Sequence, residues 1–420
     1  MRRSTKAIVK IKETLRVLGP GLITGASDDD PSGIATYSQA GAGFGYATLW
    51  TALLTFPLMA SIQEMCARVG LVTCEGLTGT LKKHYPKPVL YLIVLFSFPA
   101  IILNIGADIA GMGAVANLIF PNVNALLFSF VFTVVLLFAI VYLPYGRISA
   151  VLKYLCIVLL LYFIVPFIVK EDWPEVLKAT FIPTIHFDKD FINIFVAILG
   201  TTISPYLFFW QATMEAEDMQ RSKKLIVDKR IMTTMQKDVN FGMLFSNITM
   251  FFIILTTASV LFKNGVHSID TVEQAAAALK PLAGDMAYWL FALGILGTGF
   301  LAIPVLSGSL SYIVSETFGW TSGLDKKFHE AKGFYIIIAI SLIVGMVINF
   351  LKISPIKALV YTGMLYGVTA PVVILIILHI CNNKKVMGEY TNGRWSNISG
   401  WFTFILMTIA AIVMLYFQFA

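Results

Sequence analysis

Long apolar stretches separated by short polar ones run along the whole chain. Eleven can be counted, near residues 17–43, 47–69, 88–119, 123–142, 151–169, 191–214, 239–262, 285–314, 333–351, 356–381 and 399–419. A helix crossing a bilayer needs about 20 apolar residues, so each stretch predicts one membrane span. Two of them are interrupted in the middle. The first carries Asp28, Asp29 and Asp30, followed at once by Pro31, Ser32 and Gly33. The sixth carries Thr201-Thr202-Ile203-Ser204-Pro205-Tyr206. A carboxylate near the bilayer centre costs about 2.5–3.5 kcal/mol on insertion scales, and proline removes a backbone donor. Broken backbone at that depth survives only where it lines a protein-walled, watery cavity. One proline kink is ordinary in a membrane helix. Two breaks, in spans one and six, fall in equivalent positions if spans 1–5 and 6–10 are repeats. Five spans per repeat make the two halves inverted, and paired breaks in such halves point to a substrate site. The expected architecture is therefore an all-α polytopic membrane protein of one transmembrane domain, residues 1–420. Repeat one covers about 17–169, repeat two about 191–381, and a peripheral helix about 399–419.

Composition excludes the soluble classes. Of 420 residues 57% are hydrophobic and 13% charged, with mean hydropathy +0.79. The net charge of +7 raises nucleic acid as a partner, but its placement argues for a lipid bilayer instead. With the N-terminus inside, 24 of the 31 Lys and Arg fall on the inner side and 7 on the outer. That asymmetry predicts a cytoplasmic N-terminus and an extracytoplasmic C-terminus. The first residues lack the apolar core and cleavage site of a secretory signal, and the expected location is a prokaryotic plasma membrane. Cys66, Cys74, Cys156 and Cys381 show no metal or disulfide spacing. The mixed-charge stretch between spans six and seven predicts a solvated connector, and residues 171–190 an outer loop.

Four ordered motifs resemble the NRAMP family of divalent-metal transporters. Gly19-Pro20-Gly21 with Asp30-Pro31-Ser32-Gly33 looks like the family's GPG…DPGN first helix. QEMCARVGLVTCEGLTG at 63–79 resembles its second-helix signature, FALGILGTGF at 291–300 its eighth helix, and Met387-Gly388-Glu389-Tyr390 with Asn392-Gly393 its MGE…NG loop. The resemblance implies the LeuT-type inverted 5+5 repeat plus one helix, with helices one and six broken. It implies no cofactor beyond the transported ion and no enzymatic activity. The departures are specific. The family's Asn is Gly33 here, and its Met-Pro-His is Ser204-Pro205-Tyr206. Its third-helix Asp and Glu match Asp108 and Gly111. Its ninth-helix Arg has no counterpart, and its tenth-helix Gln matches Gly363. This pattern resembles the NRAMP-related magnesium transporters, which lack the sulfur ligand and the proton route.

The chemistry of the departures agrees with that branch. A thioether favours late transition metals, whereas carboxylate, carbonyl and water oxygens suit Mg2+, Mn2+ and Ca2+. Magnesium keeps several waters when bound, and Gly33 and Ser204 are expected to leave room for them. Asp30 is the expected central anionic ligand. By family position the carbonyls of Ser27 and Thr201 contact the ion or its waters, with Thr202 and Ser204 hydroxyls lining the pocket. Asp28 and Asp29 either raise negative potential along the ion path or cap the second half-helix. Asp108 is a remnant proton acceptor or, preferably with its Glu partner missing, an acid bonded to a neighbouring helix. Tyr206 is a further path residue. The leading expectation is alternating-access uptake of partly hydrated Mg2+ with little proton coupling. Proton-coupled Mn2+ or Fe2+ import and organic-solute (amino acid) transport on the same fold are the alternatives.

Other features read as structural. Glu64 and Arg68 at i, i+4 suit a helix-stabilising pair. His84, His186, His267, His329 and His379 form no cluster. Asn397-Ile398-Ser399 is a chance sequon near the inner face. No nucleophile elbow, nucleotide loop or paired catalytic acids suggest an enzyme.

Overall fold

Pro20, Pro31 and Pro205 each stand in the first turn of a helix, where a missing amide costs nothing. The structure, a computed structural model, describes residues 19–143, 160–221, 227–351 and 353–419. Every regular element among them is helical. The first span is split into α1 (Pro20–Asp28) and α2 (Pro31–Phe44). Then come α3 (Trp50–Thr73), α4 (Lys87–Ile119), α5 (Ala125–Tyr142) and α6 (Leu161–Ile168). The sixth span is split into α7 (Lys189–Thr202) and α8 (Pro205–Arg221). The rest are α9 (Lys229–Val260), α10 (Ala287–Phe318), α11 (Lys332–Ile348), α12 (Pro355–Asn382) and α13 (Arg394–Phe419).

Among the described residues, eight helical segments are long and apolar enough to cross a membrane, with the two halves of the sixth span, Lys189–Arg221, counted as one. The segments Pro31–Thr48 and Trp50–Thr73 pass together, bent by 110°. That bend is the turn from span one into span two: Gly45 takes a left-handed φ of +58° there, and the 24 residues of α3 rise about 36 Å by themselves. The first nine residues of the fifth expected span (151–159), the basic N-terminal segment, Arg147, Lys153, Cys156, Lys223 and Lys224 lie outside the described residues.

Several boundaries differ from the hydropathy pattern. α9 begins at Lys229, ten residues before the apolar run, with Asp228 capping it through the Ile231 amide at 2.7 Å. Part of the expected connector is thus a polar helical extension, which an apolar count cannot register. The outer loop contains a helix, Trp173–Phe181, capped by Asp172, and the turn after α3 contains Leu77–His84. Asn397 sits inside α13, bonded to Asn382 and Asn392.

Backbone contact between small residues sets where the breaks lie. A Cβ added at Gly25 of α1 would stand 2.2 Å from the Gly242 carbonyl of α9. One added at Gly200 of α7 would stand 2.0 Å from the Gly363 carbonyl of α12. Small residues allow such approach in membrane helices, where van der Waals contact replaces the hydrophobic drive. The first break is therefore held against α9, and the second against α12. Leu95, Phe138, Val347 and Ile412 face outward, exposed, as lipid-facing side chains do.

Candidate functional site

The two breaks are built alike: a short polar residue, then a proline opening the next half-helix. Asp30 is the N-cap of α2, its Oδ1 accepting from the Gly33 amide at 2.8 Å and the Ser32 hydroxyl at 2.6 Å. Its Oδ2 accepts from the Asn104 amide of α4 at 2.9 Å. Capping of the second half-helix, considered for Asp28 and Asp29, thus falls to Asp30. A carboxylate offers about four acceptor positions, so three bonds leave it capacity for an ion or a water. At the second break Ser204 donates to the Thr201 carbonyl at 2.6 Å and the Gly200 carbonyl at 3.2 Å. Tyr206 donates to the Ser27 carbonyl at 3.0 Å. The Ser and Tyr that stand where the resemblance expects Met and His therefore engage the two carbonyls freed by the breaks.

The three consecutive aspartates split between two sides. Asp28 and Asp29 both face α9, where the one hydroxyl of Ser246 reaches Asp28 Oδ2 at 2.7 Å and Asp29 Oδ1 at 3.2 Å. Asp30 faces α4. The chain leaves the helix at Asp29 (φ −80°, ψ 52°) and is extended at Asp30 (φ −70°, ψ 172°), which turns the third carboxylate to the other side. Asp28, Asp29, Asp30 and Asp108 are 1, 0, 2 and 0% exposed, so the group is closed to solvent in this conformation. Among the described residues every ion pair lies elsewhere, and no basic side chain meets these acids.

Other expected residues are placed less directly. The Thr202 hydroxyl bonds to the Ile198 carbonyl at 2.6 Å, to Tyr37 at 3.2 Å and to the Met250 sulfur at 3.6 Å. The Thr201 hydroxyl turns back to the Ala197 carbonyl at 2.9 Å. Neither hydroxyl bonds to Asp30. The room expected at Gly33 is largely taken: a Cβ there would lie 3.3 Å from the Tyr37 ring and 3.3 Å from the Asp28 carbonyl. Asp108 lies beside the Ser32 amide, but neither of its oxygens closes a hydrogen bond among the described residues. The neighbouring group it meets is thus the Ser32 amide of α2. Glu64 and Arg68 do pair, at 3.6 Å.

Asn104, Tyr37, Ser246 and Tyr366 were not singled out from the sequence. Asn104 had a signal: it is a lone amide in an apolar run, one turn before Asp108. Tyr37 had the i, i+4 spacing from Gly33 on α2, whereas Ser246 and Tyr366 had none, since such residues are common packing groups in membrane helices.

The profile of the family described as "Natural resistance-associated macrophage protein-like" matches residues 21–417. The chain belongs to this family. Similar Nramp-family relatives include the divalent metal cation transporter MntH of Caldanaerobacter subterraneus, 26% identical over 93% of this chain and 90% of that protein. The MntH of Bacillus subtilis is 24% identical over 94% and 90%. The manganese transporter of Eremococcus coleocola superposes with TM-score 0.72 at 18% identity, covering 94% of this chain and 85% of that one. A nucleobase-cation-symport-1 transporter, Mhp1, superposes with TM-score 0.52 at 12% identity, covering 95% and 91%. These likenesses assign the LeuT-type fold to this Nramp chain, with its helices spanning a membrane in many passes.

Proposed function

We propose that this Nramp chain carries a divalent metal cation across the plasma membrane by alternating access, with Mg2+ taken up partly hydrated and with little or no proton coupling. The observation that carries the reading is the set of four buried carboxylates without a basic partner among the described residues. Unpaired buried charge is strongly unfavourable, and a cation arriving at the breaks compensates it. Asp30 is the proposed central ligand, with the Ser27 and Thr201 carbonyls reached when Tyr206 and Ser204 release them. Asp28 and Asp29 contribute negative potential from the α9 side. The names of the relatives support a divalent metal as cargo.

The departures support the magnesium choice. No thioether belongs to either break. At Gly111 a Cβ would lie 3.1 Å from the end of the Leu359 side chain, which must give way before the family's glutamate could stand beside Asp108. At Gly363 a Cβ would lie 2.7 Å from the Thr201 methyl, which excludes the family's glutamine. Proton-coupled Mn2+ or Fe2+ import is the second reading. The relatives' names favour it, as does the Met250 sulfur behind Thr202. The N-terminus is proposed to be cytoplasmic.

Proteoliposomes with a magnesium-sensitive dye and, separately, a pH-sensitive dye test the reading. The useful variant is Asp30→Asn, which keeps an oxygen for the cap and removes the charge. Mg2+ influx that is lost in the variant, without acidification of the lumen, is expected. Mn2+ influx with acidification and no response to Mg2+ establishes the second reading instead.

A further inference from the structure

Beside Asp30, four oxygens on two helices are left open by the described residues. They are Asn104 Oδ1, both Asp108 carboxylate oxygens and the Tyr366 hydroxyl. Asn104 and Asp108 are four residues apart on α4 and so share one face of that helix. Tyr366 comes from α12, its hydroxyl next to the Asn104 amide. Its ring packs 5.7 Å from that of Tyr206, which bonds to the first break. All three side chains are 1% exposed or less. Asn104 commits its Nδ2 to Asp30, so its oxygen, on the other arm of the amide, remains an acceptor.

Buried polar groups are nearly always paired. Four open oxygens beside one carboxylate therefore call for an occupant. Three are pure acceptors, and the fourth is a phenol that accepts as well as donates. Such a set suits the outward-pointing hydrogens of water polarised by a cation. It suits a bare ion less, because among the described residues no three acidic, histidine or cysteine side chains converge closely enough to hold one. We infer that Asn104, Asp108 and Tyr366 form a wall that receives the water shell of the cation facing Asp30, and that this wall discriminates an ion that keeps its water from one that sheds it. The inference rests on the hydrated-ion reading above and names the residues that carry the selection.

The test compares Mg2+ and Mn2+ uptake in proteoliposomes for wild type, Tyr366→Phe and Asn104→Leu. Where Mn2+ is not carried, its competition against Mg2+ uptake is read instead. Tyr366→Phe removes one oxygen and leaves every bond to Asp30 in place, so it decides the matter if Asn104→Leu fails to fold. Loss of an outer-shell partner typically weakens metal binding 10–100-fold. The expected result is an Mg2+ KM raised by about tenfold, with the Mn2+ value nearly unchanged, because magnesium dehydrates the more reluctantly. Equal losses for both ions, or no loss in Tyr366→Phe, overturn the wall while leaving the magnesium reading intact. Wild type that carries Mn2+ but not Mg2+ overturns the magnesium reading, and the wall with it.

Discussion

Tyr206 donates its hydroxyl to the Ser27 carbonyl at 3.0 Å, and this bond ties the second helix break to the first. Both groups are buried, so the carbonyl has no water to turn to when the phenol is gone. Tyr206→Phe should lower stability in detergent by about 1–3 kcal/mol, the usual cost of a buried polar group left unpaired. Saturating Mg2+ should narrow the gap, because the freed carbonyl can then face the ion. Thermal unfolding with and without Mg2+ measures both effects. A variant as stable as wild type would show the bond to be idle.

The start of α1 is capped from another helix. Gly19 has no side chain to cap with, and Asp238 of α9 accepts from the Gly19 amide at 2.9 Å and the Gly21 amide at 2.7 Å. Asp238→Ala removes both acceptors and should cost about 1–2 kcal/mol, as the loss of a good N-cap does. The effect should be local. Hydrogen exchange should speed up in the first turn of α1 and stay unchanged in α2, which keeps its own cap at Asp30. Uniform acceleration through α2 would mean that the seam at Gly25 and Gly242 depends on the cap.

The fold was legible because apolar length and broken helices are one-dimensional signals. Asp30-Pro31 and Ser204-Pro205 mark the breaks in the sequence and are the breaks in the structure. What hydropathy could not register was polar helix, as in the first ten residues of α9, and the direction of side chains. The direction settles the site. Three adjacent aspartates look like one cluster in sequence, yet Asp30 joins Asn104 while Asp28 and Asp29 share Ser246. Tyr37 was passed over, although it stands four residues after Gly33 on α2, the spacing that brings its ring beside that glycine.

Sterics make a separate prediction about protons. Gly111→Glu alone pushes a side chain into Leu359, and overpacking of this kind costs about 1–3 kcal/mol. It should destabilise the protein without producing acidification during metal uptake. Combining it with Leu359→Ala opens the space and puts a carboxylate three residues from Asp108, on the same face of α4. The double variant should then move protons with the metal, read by the lumenal pH dye. Proton movement in the single variant would show that Leu359 yields and that its bulk is not what excludes the acid.

The last prediction concerns the sulfur. Ser204 holds the Thr201 carbonyl at 2.6 Å, so Ser204→Met does two things at once: it releases that carbonyl and sets a thioether at the break. The release should destabilise the empty protein by about 1–3 kcal/mol. The thioether should favour softer ions over Mg2+. Competition of Cd2+ and Mn2+ against Mg2+ uptake should therefore strengthen in the variant, while Mg2+ uptake itself weakens. Ser204→Ala separates the two effects, since it frees the carbonyl without adding sulfur. If both variants shift the competition equally, the carbonyl and not the sulfur governs ion choice. If neither shifts it, the residue before Pro205 takes no part in selecting the ion, and the case for magnesium rests on the oxygens around Asp30 alone.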